Sequence, residues 1–397
     1  MTDPRAAQPR VLAWMCAVIA VNQLGFGSVV PALALYARSF DVSQFAIGLA
    51  IAVYGLARFL VALPSGHLAD RLGRRGTLAI GGLVTAAGNL ACAYAPNYPA
   101  FIAARFVAGT GAAVVITAGL IIMADISAPE TRGRTMAIYQ GTFLFAVGFG
   151  PLPGGLLAER FGLHAPFVAY AITGVVVGAV AWLQVPETRG LRADPAATPG
   201  LPPFSAQVRL LTSHVGFLLV CVISFTNAVA RTGALFNIVP ILGRDRLALS
   251  TDRIGLGLAL ASLVGLAVAY PAGVLVDRFG RKPVIVPATV MAGVALVLFV
   301  LAPSYAWFLA GCVAWSVAAG VSGAAPAAYA ADVAPAGMNA AAMSSFRMLA
   351  DLGYVVGPIA LGLATDLAGA DRALGITAVL LFAVAGLFWR LAPEMRP

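Results

Sequence analysis

Charged side chains are scarce in this chain of 397 residues. Asp, Glu, Lys and Arg make up only 10% of it, and 60% of the residues are hydrophobic. An average soluble domain is about one-quarter charged, so the composition excludes that class and indicates a protein that lies in a lipid bilayer. The net charge of +9 does not indicate nucleic-acid binding, because the basic residues lie mainly in the connections between apolar segments.

Cysteine and histidine are also rare, with four and three residues respectively. The cysteines stand singly inside apolar segments, without the close spacing that a metal site or a redox pair requires. The sequence contains no phosphate-binding loop of the Walker type and no Ser/His/Asp constellation. We therefore expect neither an enzyme nor an ATP-driven pump, and we expect no metal or cofactor. The cysteines are Cys16, Cys92, Cys221 and Cys312.

Twelve apolar segments along the chain are long enough to cross a membrane. A helix needs about 20 mostly apolar residues to cross a hydrocarbon core of roughly 30 Å, and Gly and Pro are tolerated in such helices. The first segment is longer than the apolar part of a signal peptide, so we expect it to be retained. The segments are residues 11–36, 45–65, 77–95, 99–123, 135–158 and 165–184, followed by 214–240, 254–276, 283–302, 305–330, 341–364 and 373–392.

The chain repeats itself with an offset of 207 residues. Two near-copies of one charged sequence occupy residues 66–75 and 273–282, and the same offset superposes Ser43 on Ser250 and Ile47 on Ile254 without any insertion. An internal repeat in an apolar chain predicts two homologous membrane halves, a common plan for transporters. The expected domains are an N-terminal six-helix half at 1–185, a linker at 186–213 and a C-terminal six-helix half at 214–397.

The 25 basic residues predict the orientation of the chain, since loops rich in Lys and Arg remain on the cytoplasmic side of a membrane. With the N-terminus inside, fifteen basic residues fall on the cytoplasmic side, six fall outside and four lie within segments. We therefore expect a multi-pass protein of the cell membrane with both termini in the cytoplasm. The Pro-rich stretch 186–213, which has the composition of a flexible linker, would lie on the same side.

The two charged copies, 66–75 and 273–282, give the most specific functional signal, and we call them the gating loops. Each lies between the second and third segments of its half. They resemble the signature loop of the major facilitator superfamily, and the plan of twelve segments in two halves extends that resemblance over the whole chain. The resemblance implies an all-α membrane protein with twelve transmembrane helices in two pseudo-symmetric halves, which moves small molecules by alternating access.

Particular residues of the gating loops have predicted roles. Gly66 and Gly273 lack a side chain that would keep neighbouring helices apart, and Asp70 and Asp277 can neutralise the positive N-terminal end of a helix. The resemblance implies that these two aspartates hold the halves together in one state of the transport cycle. The alternative is that the charges of these loops only set the topology of the chain. The resemblance also implies two ion pairs. These pairs are Arg74 with Asp125 and Arg281 with Asp332.

The fourth segment contains an arginine within a Gly-rich sequence, at Arg105, Gly109 and Gly111. This resembles a second motif of the superfamily, whose arginine points into the protein. Charge is costly inside a membrane, so such an arginine usually faces a cavity or an acid. The alternative is that Arg105 extends to the membrane surface and has no role in transport.

The fifth segment has a Gly- and Pro-rich sequence over residues 148–155, similar to the Gly-Pro-x-x-Gly-Gly motif of the drug:proton antiporters in the superfamily. It predicts a bent helix that packs tightly on the eighth segment, and the resemblance favours export over import. A general packing face of small residues is the alternative. The residues expected to pack here and at the equivalent place in the eleventh segment are Gly150, Pro151, Gly154, Gly155, Gly357 and Pro358.

Asp351 is the only carboxylate well inside an apolar segment. A carboxylate in such a place is the default site for binding and releasing a proton. Arg58 in the second segment lies within roughly one helical turn of the same depth, and the resemblance implies that the second and eleventh segments adjoin. We therefore predict an ion pair between Arg58 and Asp351 that protonation loosens. The alternative, given equal weight, is that Asp351 neutralises Arg347, one turn before it.

Several polar or aromatic residues within the segments are candidates for the substrate cavity, each with a role in helix packing as its alternative. Arg231 is the strongest, because an unpaired cation in a central cavity favours an anionic or polar substrate. Asn22 and Gln23 occupy positions where many proton-coupled drug exporters have an acid, which counts against multidrug export. The candidates are Asn22, Gln23, Phe26, Arg105, Gln140, Asn227 and Arg231.

These features predict a secondary active transporter, with proton-coupled efflux of a small organic molecule or drug as the leading hypothesis. The alternatives are a uniporter or importer of a polar or anionic metabolite and, from another class, a membrane receptor or scaffold on a transporter fold. The expected partners are the lipid bilayer, a small-molecule substrate and protons, with no nucleic acid, and the expected state is a monomer.

Overall fold

The computed structural model describes residues 8–126, 132–188, 210–211, 213–322, 325–334 and 339–394. Within these ranges the chain is helical, and twelve helical spans are long and apolar enough to cross a membrane. The spans are α1 (Gln8–Arg38), α2 (Gln44–Leu72), α3 (Arg74–Ala93), α4 (Tyr98–Ile126), α5 (Arg132–Phe149 with Pro151–Phe161), α6 (Ala165–Gln184), α7 (Val215–Val229, Ala230–Ile238 and Val239–Leu247), α8 (Thr251–Phe279), α9 (Lys282–Leu301), α10 (Tyr305–Ser322 with Ala325–Val333), α11 (Asn339–Ala368) and α12 (Ala370–Leu391).

The backbone repeats with the offset found in the sequence. α8 begins and ends 207 residues after α2, and α11 begins and ends 207 residues after α5. The described residues with positive φ form three pairs at the same offset. Because positive φ fixes the direction in which the chain leaves a helix, the two halves turn at equivalent places. The pairs are Asp41 with Ala248, Gly73 with Gly280 and Gly162 with Gly369.

The contacts divide the chain into two compact units. The first contains Met1–Val42, Leu49–Ala196 and Ser250–Ala259, and the second contains Ser43–Gly48, Ala197–Leu249 and Leu260–Pro397. Each unit therefore consists mainly of one sequence half together with a short piece from the beginning of a helix of the other half. Most of the predicted linker, at 189–209 and 212, lies outside the described residues.

Both units use the same packing pattern. In the first, α3 packs on α4 and α6, and α1 packs on α5 and α6; in the second, α9 packs on α10 and α12, and α7 packs on α11. Small residues bring the backbones together, as at Gly82 beside Gly178 and at Gly111 beside Thr85, which is how membrane helices associate in the absence of a hydrophobic driving force. Large apolar side chains remain exposed, among them Leu183 and Leu367, as expected for a surface that faces lipid.

Candidate functional site

The gating loop of the first unit is built around a buried ion pair. Gly73 has φ of 84° and ends α2 in a sharp turn, which places Arg74 at the beginning of α3. Its Nε lies 3.1 Å from Oδ2 of Asp125, and the two side chains are only 2% and 6% exposed. Arg74 also donates from Nη1 to the carbonyl oxygen of Ala69 at 3.0 Å. The predicted pairing is confirmed, and both side chains are buried away from solvent.

The second unit contains the equivalent pair in a more exposed form. Nε of Arg281 lies 2.7 Å from Oδ2 of Asp332, with side-chain exposures of 14% and 37%. This prediction is also confirmed. The same two residue types at the same register therefore make a buried contact in one unit and a solvated contact in the other, and the two contacts have different energetic weights.

The predicted roles of the aspartates and glycines in the gating loops are not confirmed. The side chains of Asp70 and Asp277, and the packing of Gly273, lie outside the described residues, so their roles stay predictions. At Gly66 the expected close helix approach is not observed, because no described atom lies within 4 Å of the place that a Cβ would occupy. The described neighbours of α2 do not require a glycine there.

Glu187 is a member of this network that the sequence did not reveal. Its carboxylate accepts hydrogen bonds from the backbone N–H groups of Arg74 at 2.9 Å and Arg75 at 3.2 Å, and thereby caps the beginning of α3. The neighbouring Thr188 donates to Oδ2 of Asp125 at 3.0 Å. In the sequence, Glu187 is marked only by the repeat, which superposes Pro186-Glu187 on Pro393-Glu394. The repeat does not indicate which residues Glu187 contacts.

Arg105 is the most unusual charge inside the first unit. Its side chain is 1% exposed, and Nε donates to the carbonyl oxygen of Ala50 at 3.1 Å. The guanidinium lies over the ring of Tyr54, 4.4 Å from its centroid, and none of the ion pairs among the described residues involves it. The predicted inward orientation is confirmed, and extension of Arg105 to the membrane surface is excluded.

Aromatic and polar groups surround this arginine. The hydroxyls of Tyr54 and Tyr170 are hydrogen bonded at 3.1 Å, and Phe26 stacks on Tyr54 with centroids 5.5 Å apart. The close approach of α4 to α2 depends on Gly109, where a Cβ would lie 2.5 Å from the carbonyl oxygen of Tyr54. The glycine therefore places Arg105, one turn before it, against the backbone and the aromatic ring of α2.

The remaining candidates of the first unit are distributed around α1 and α5. Asn22 and Gln23 are buried and hydrogen bonded to each other at 3.1 Å, and Oδ1 of Asn22 has no partner among the described residues. Gln140 is half-buried on α5. Arg58, which lies one turn after Tyr54 on α2, is also half-buried.

The Gly-Pro sequence coincides with a one-residue break in α5, between Phe149 and Pro151. Gly150 keeps helical dihedral angles, so the predicted bend stays a prediction. Gly154 lies against the backbone of Ser28 on α1, and a Cβ on Gly155 would lie 2.7 Å from the carbonyl oxygen of Thr251. Since Thr251 begins α8, the predicted packing of the fifth span on the eighth is confirmed within the first unit.

In the second unit, α7 contains a π-helical stretch at Ala230–Ile238, where the sequence predicted an ordinary helix. Arg231 belongs to this stretch and lies over the ring of Phe236 at 5.8 Å, and Asn227 is half-buried one turn earlier. Asn237 donates to the carbonyl oxygen of Pro358 at 3.4 Å. π-helical turns are frequent at functional sites, and this observation favours Arg231 as a candidate for the substrate cavity.

Two further residues with predicted roles, Gly357 and Asp351, lie on α11. Gly357 lies against the backbone of α7, where a Cβ would meet Val229 at 2.7 Å, so its packing role is confirmed. Asp351 is half-buried and Arg347 is exposed, and no ion pair joins them in the described structure. The pairing of Asp351 with Arg58, a residue of the first unit, stays a prediction.

A cavity of about 440 Å³ lies in the second unit, near the beginnings of α2 and α12. None of the predicted substrate residues lines it. Its walls include Gln44, Asp245, Arg246 and Thr365, and Arg246 is paired with Asp371 at 2.5 Å.

Comparison with known proteins places this architecture in a family. The family model described as Major Facilitator Superfamily matches residues 15–251 and 220–397. The chain belongs to this superfamily. It is a membrane transporter with the twelve-helix fold of that group, a multi-pass cell-membrane protein that acts on a small-molecule substrate.

Individual superfamily members are similar over most of their length. An MFS-type transporter of Methanocaldococcus jannaschii is 22% identical over 368 residues, which is 91% of this chain and 93% of that protein. The class C tetracycline resistance protein of Escherichia coli is 29% identical over 288 residues, 72% of each chain. The crystal structure of a bacterial homolog of the human lysosomal transporter Spinster has a TM-score of 0.80 at 16% identity, covers 98% and 97% of the two chains, and shows the fold alone.

Proposed function

We propose that this superfamily member exports a small organic molecule in exchange for protons by alternating access. The observation that carries the proposal is the presence of both gating ion pairs, Arg74–Asp125 and Arg281–Asp332, at equivalent positions of the two units. A receptor or scaffold on the same fold would not need both. The Gly-Pro-x-x-Gly-Gly sequence at residues 150–155 and the similarity to a tetracycline resistance protein support export.

Asp351 is the proposed proton site. It lies inside α11 and is half-buried, and a carboxylate within a membrane span is stable as an anion only beside a cation or water. The proposed cation is Arg58, because its side chain is half-buried like that of Asp351, whereas Arg347 is exposed. Protonation of Asp351 would release Arg58 and lower the cost of moving the two units.

The test is transport by purified protein in liposomes with and without a pH gradient, using compounds selected by thermal-shift screening. Asp351→Asn should abolish proton-driven transport and retain substrate binding, because the amide cannot cycle a proton. Arg58→Gln should impair coupling, whereas Arg347→Gln should leave it close to wild type and serves as the matched control. Unchanged proton-driven transport by Asp351→Asn would contradict the assignment, and absence of substrate counterflow would favour a receptor.

A polar or anionic substrate is the second candidate, and Arg105 is the observation that favours it. This guanidinium is buried and has no acid partner among the described residues, and Arg231 adds a second cation within a span. Binding of a carboxylate substrate should be much stronger than binding of its amide analogue if this candidate is right. The proposal further includes a monomeric protein with both termini in the cytoplasm, which accessibility of terminal tags in intact cells would test.

A further inference from the structure

Two acids occupy places where local helix electrostatics disfavours them. Glu159 lies in the last turn of the second part of α5 (Pro151–Phe161), and Asp366 lies in the last turn of α11 (Asn339–Ala368). The C-terminal end of a helix is negative and therefore repels a carboxylate. The two acids are related by the offset of 207 residues. A disfavoured choice made at equivalent places in both halves indicates a tertiary role.

Each acid caps the beginning of another helix. Both carboxylate oxygens of Asp366 accept hydrogen bonds from backbone N–H groups at the beginning of α2, one from Gln44 and one from Phe45, each at 2.8 Å. Oε2 of Glu159 accepts from the backbone N–H of Thr251, the first residue of α8, at 2.9 Å. Gln44 and Thr251 are again 207 residues apart. We call these two contacts the outer caps.

The backbones around the outer caps touch directly. In the second unit, Gly362 lies against the carbonyl oxygen of Gln44, and Gly48 lies against that of Pro358. The first unit contains the equivalent contacts at the same offset, where a Cβ on Gly155 would lie 2.7 Å from the carbonyl oxygen of Thr251 and a Cβ on Gly255 would overlap that of Pro151. The caps are therefore parts of two matching, closely packed helix junctions.

These junctions lie where α2 and α8 pass from one compact unit to the other. The first turn of α2, within Ser43–Gly48, belongs to the second unit, and the rest of α2 from Leu49 belongs to the first. The beginning of α8, within Ser250–Ala259, belongs to the first unit, and its remainder belongs to the second. Each outer cap thus binds the beginning of a helix whose remainder belongs to the other unit.

We propose that Glu159 and Asp366 act as a pair of gating residues that hold the present state of the transporter and must release α8 and α2 when access alternates. This inference rests on the proposed alternating-access function. The Asp366 cap lies at the end of α2 opposite to its gating loop, roughly 42 Å away along a helix of 29 residues, and the Glu159 cap lies at the equivalent end of α8. The orientation predicted from the basic residues puts both ends on the outer side of the membrane.

The geometry predicts a graded effect of charge removal. Asp366 binds two N–H groups of α2 and Glu159 binds one of α8, so Asp366→Asn should release its helix more than Glu159→Gln does. Each loss should shift the equilibrium between states by about two- to fivefold, the usual size of a charge effect at a helix end. The shifts should multiply in the double variant, because the two caps share no residue.

The readout is maleimide labelling of a cysteine placed beside each cap, in a background without the four native cysteines. Ile47 and Ile254 are suitable sites, since both are 0% exposed and are related by the repeat. With an Ile47→Cys reporter, Asp366→Asn should raise the labelling rate by an impermeant reagent added from outside. Asp366→Glu retains the charge and should restore most of the protection.

Asp371→Asn is the matched control, because it removes an exposed acid that binds Arg246 rather than the beginning of α2. Labelling rates in Asp366→Asn and Glu159→Gln equal to that of the parent, in protein with unchanged thermal stability, would overturn the inference. Labelling needs no substrate. A response of labelling without proton-driven transport would therefore reject the proposed function and retain the caps, whereas proton-driven transport with unresponsive labelling would reject the caps alone.

Discussion

Removing the acid of the buried gating pair should destabilise the protein far more than removing its counterpart. Asp125→Ala removes the acid from Arg74, whose side chain is 2% exposed and also donates to the carbonyl oxygen of Ala69. Breaking a buried pair from one side costs about 3–5 kcal/mol. Asp332→Ala removes the acid of a pair that is 14% and 37% exposed, and solvated pairs contribute at most about 1 kcal/mol.

Thermal unfolding in detergent, followed by circular dichroism, measures this difference. Since 1 kcal/mol shifts the midpoint of a unit of this size by about 2–4 °C, the difference of about 2–5 kcal/mol should make Asp125→Ala unfold roughly 4–20 °C below Asp332→Ala. Both acids lie near the end of their helix, so the local helix effect cancels between the two variants. Equal midpoints would refute the assignment of a buried pair. Replacing both partners, Arg74→Met with Asp125→Leu, should recover most of the stability because no uncompensated charge remains.

Two further predictions concern α5 and the arginine centre. Gly154→Ala should lower the free energy of unfolding by about 1–3 kcal/mol, because its Cβ would overlap the backbone of Ser28. Gly141→Ala is the control: no described atom lies within 4 Å of its Cβ, so it should be neutral or stabilising by up to about 1 kcal/mol. Equal effects of the two variants in thermal melts would contradict the packing. Tyr54→Phe should lower the free energy of unfolding by about 1 kcal/mol, because the hydrogen bond to the Tyr170 hydroxyl is lost. Tyr54→Leu should lower it by about 1–2 kcal/mol more, because Arg105 also loses its contact with the aromatic ring. Indistinguishable melts of the two variants would show that Arg105 does not depend on the ring.

The ion pairs of the two gating loops could be predicted from the sequence. The resemblance to the superfamily implied that Arg74 pairs with Asp125 and Arg281 with Asp332, and both pairs form. The repeat supported the expectation, because both arginines and both acids recur at the offset of 207 residues. Their unequal burial could not be predicted, because exposure depends on the side chains that surround each pair.

The site inside the membrane was less accessible to sequence reasoning. Arg105 was expected to point inward, but its partners, a backbone carbonyl and the ring of Tyr54, come from a different helix. The π-helical stretch around Arg231 had no signal in the apolar pattern, since a π-turn differs from an α-turn by one residue in hydrogen-bond spacing. The end-capping acids Glu187, Glu159 and Asp366 looked like ordinary loop charges.

The sequence by itself determined the number of spans, the duplication and the places where the chain turns. These depend on the length of apolar runs and on backbone conformations such as the positive φ of Gly73 and Gly280, which are local properties. Only the tertiary structure decided which carboxylate meets which helix terminus, which arginine is desolvated and where Gly155 and Gly362 bring backbones into contact. Those features depend on distances between residues far apart in the chain, and helix packing alone fixes such distances.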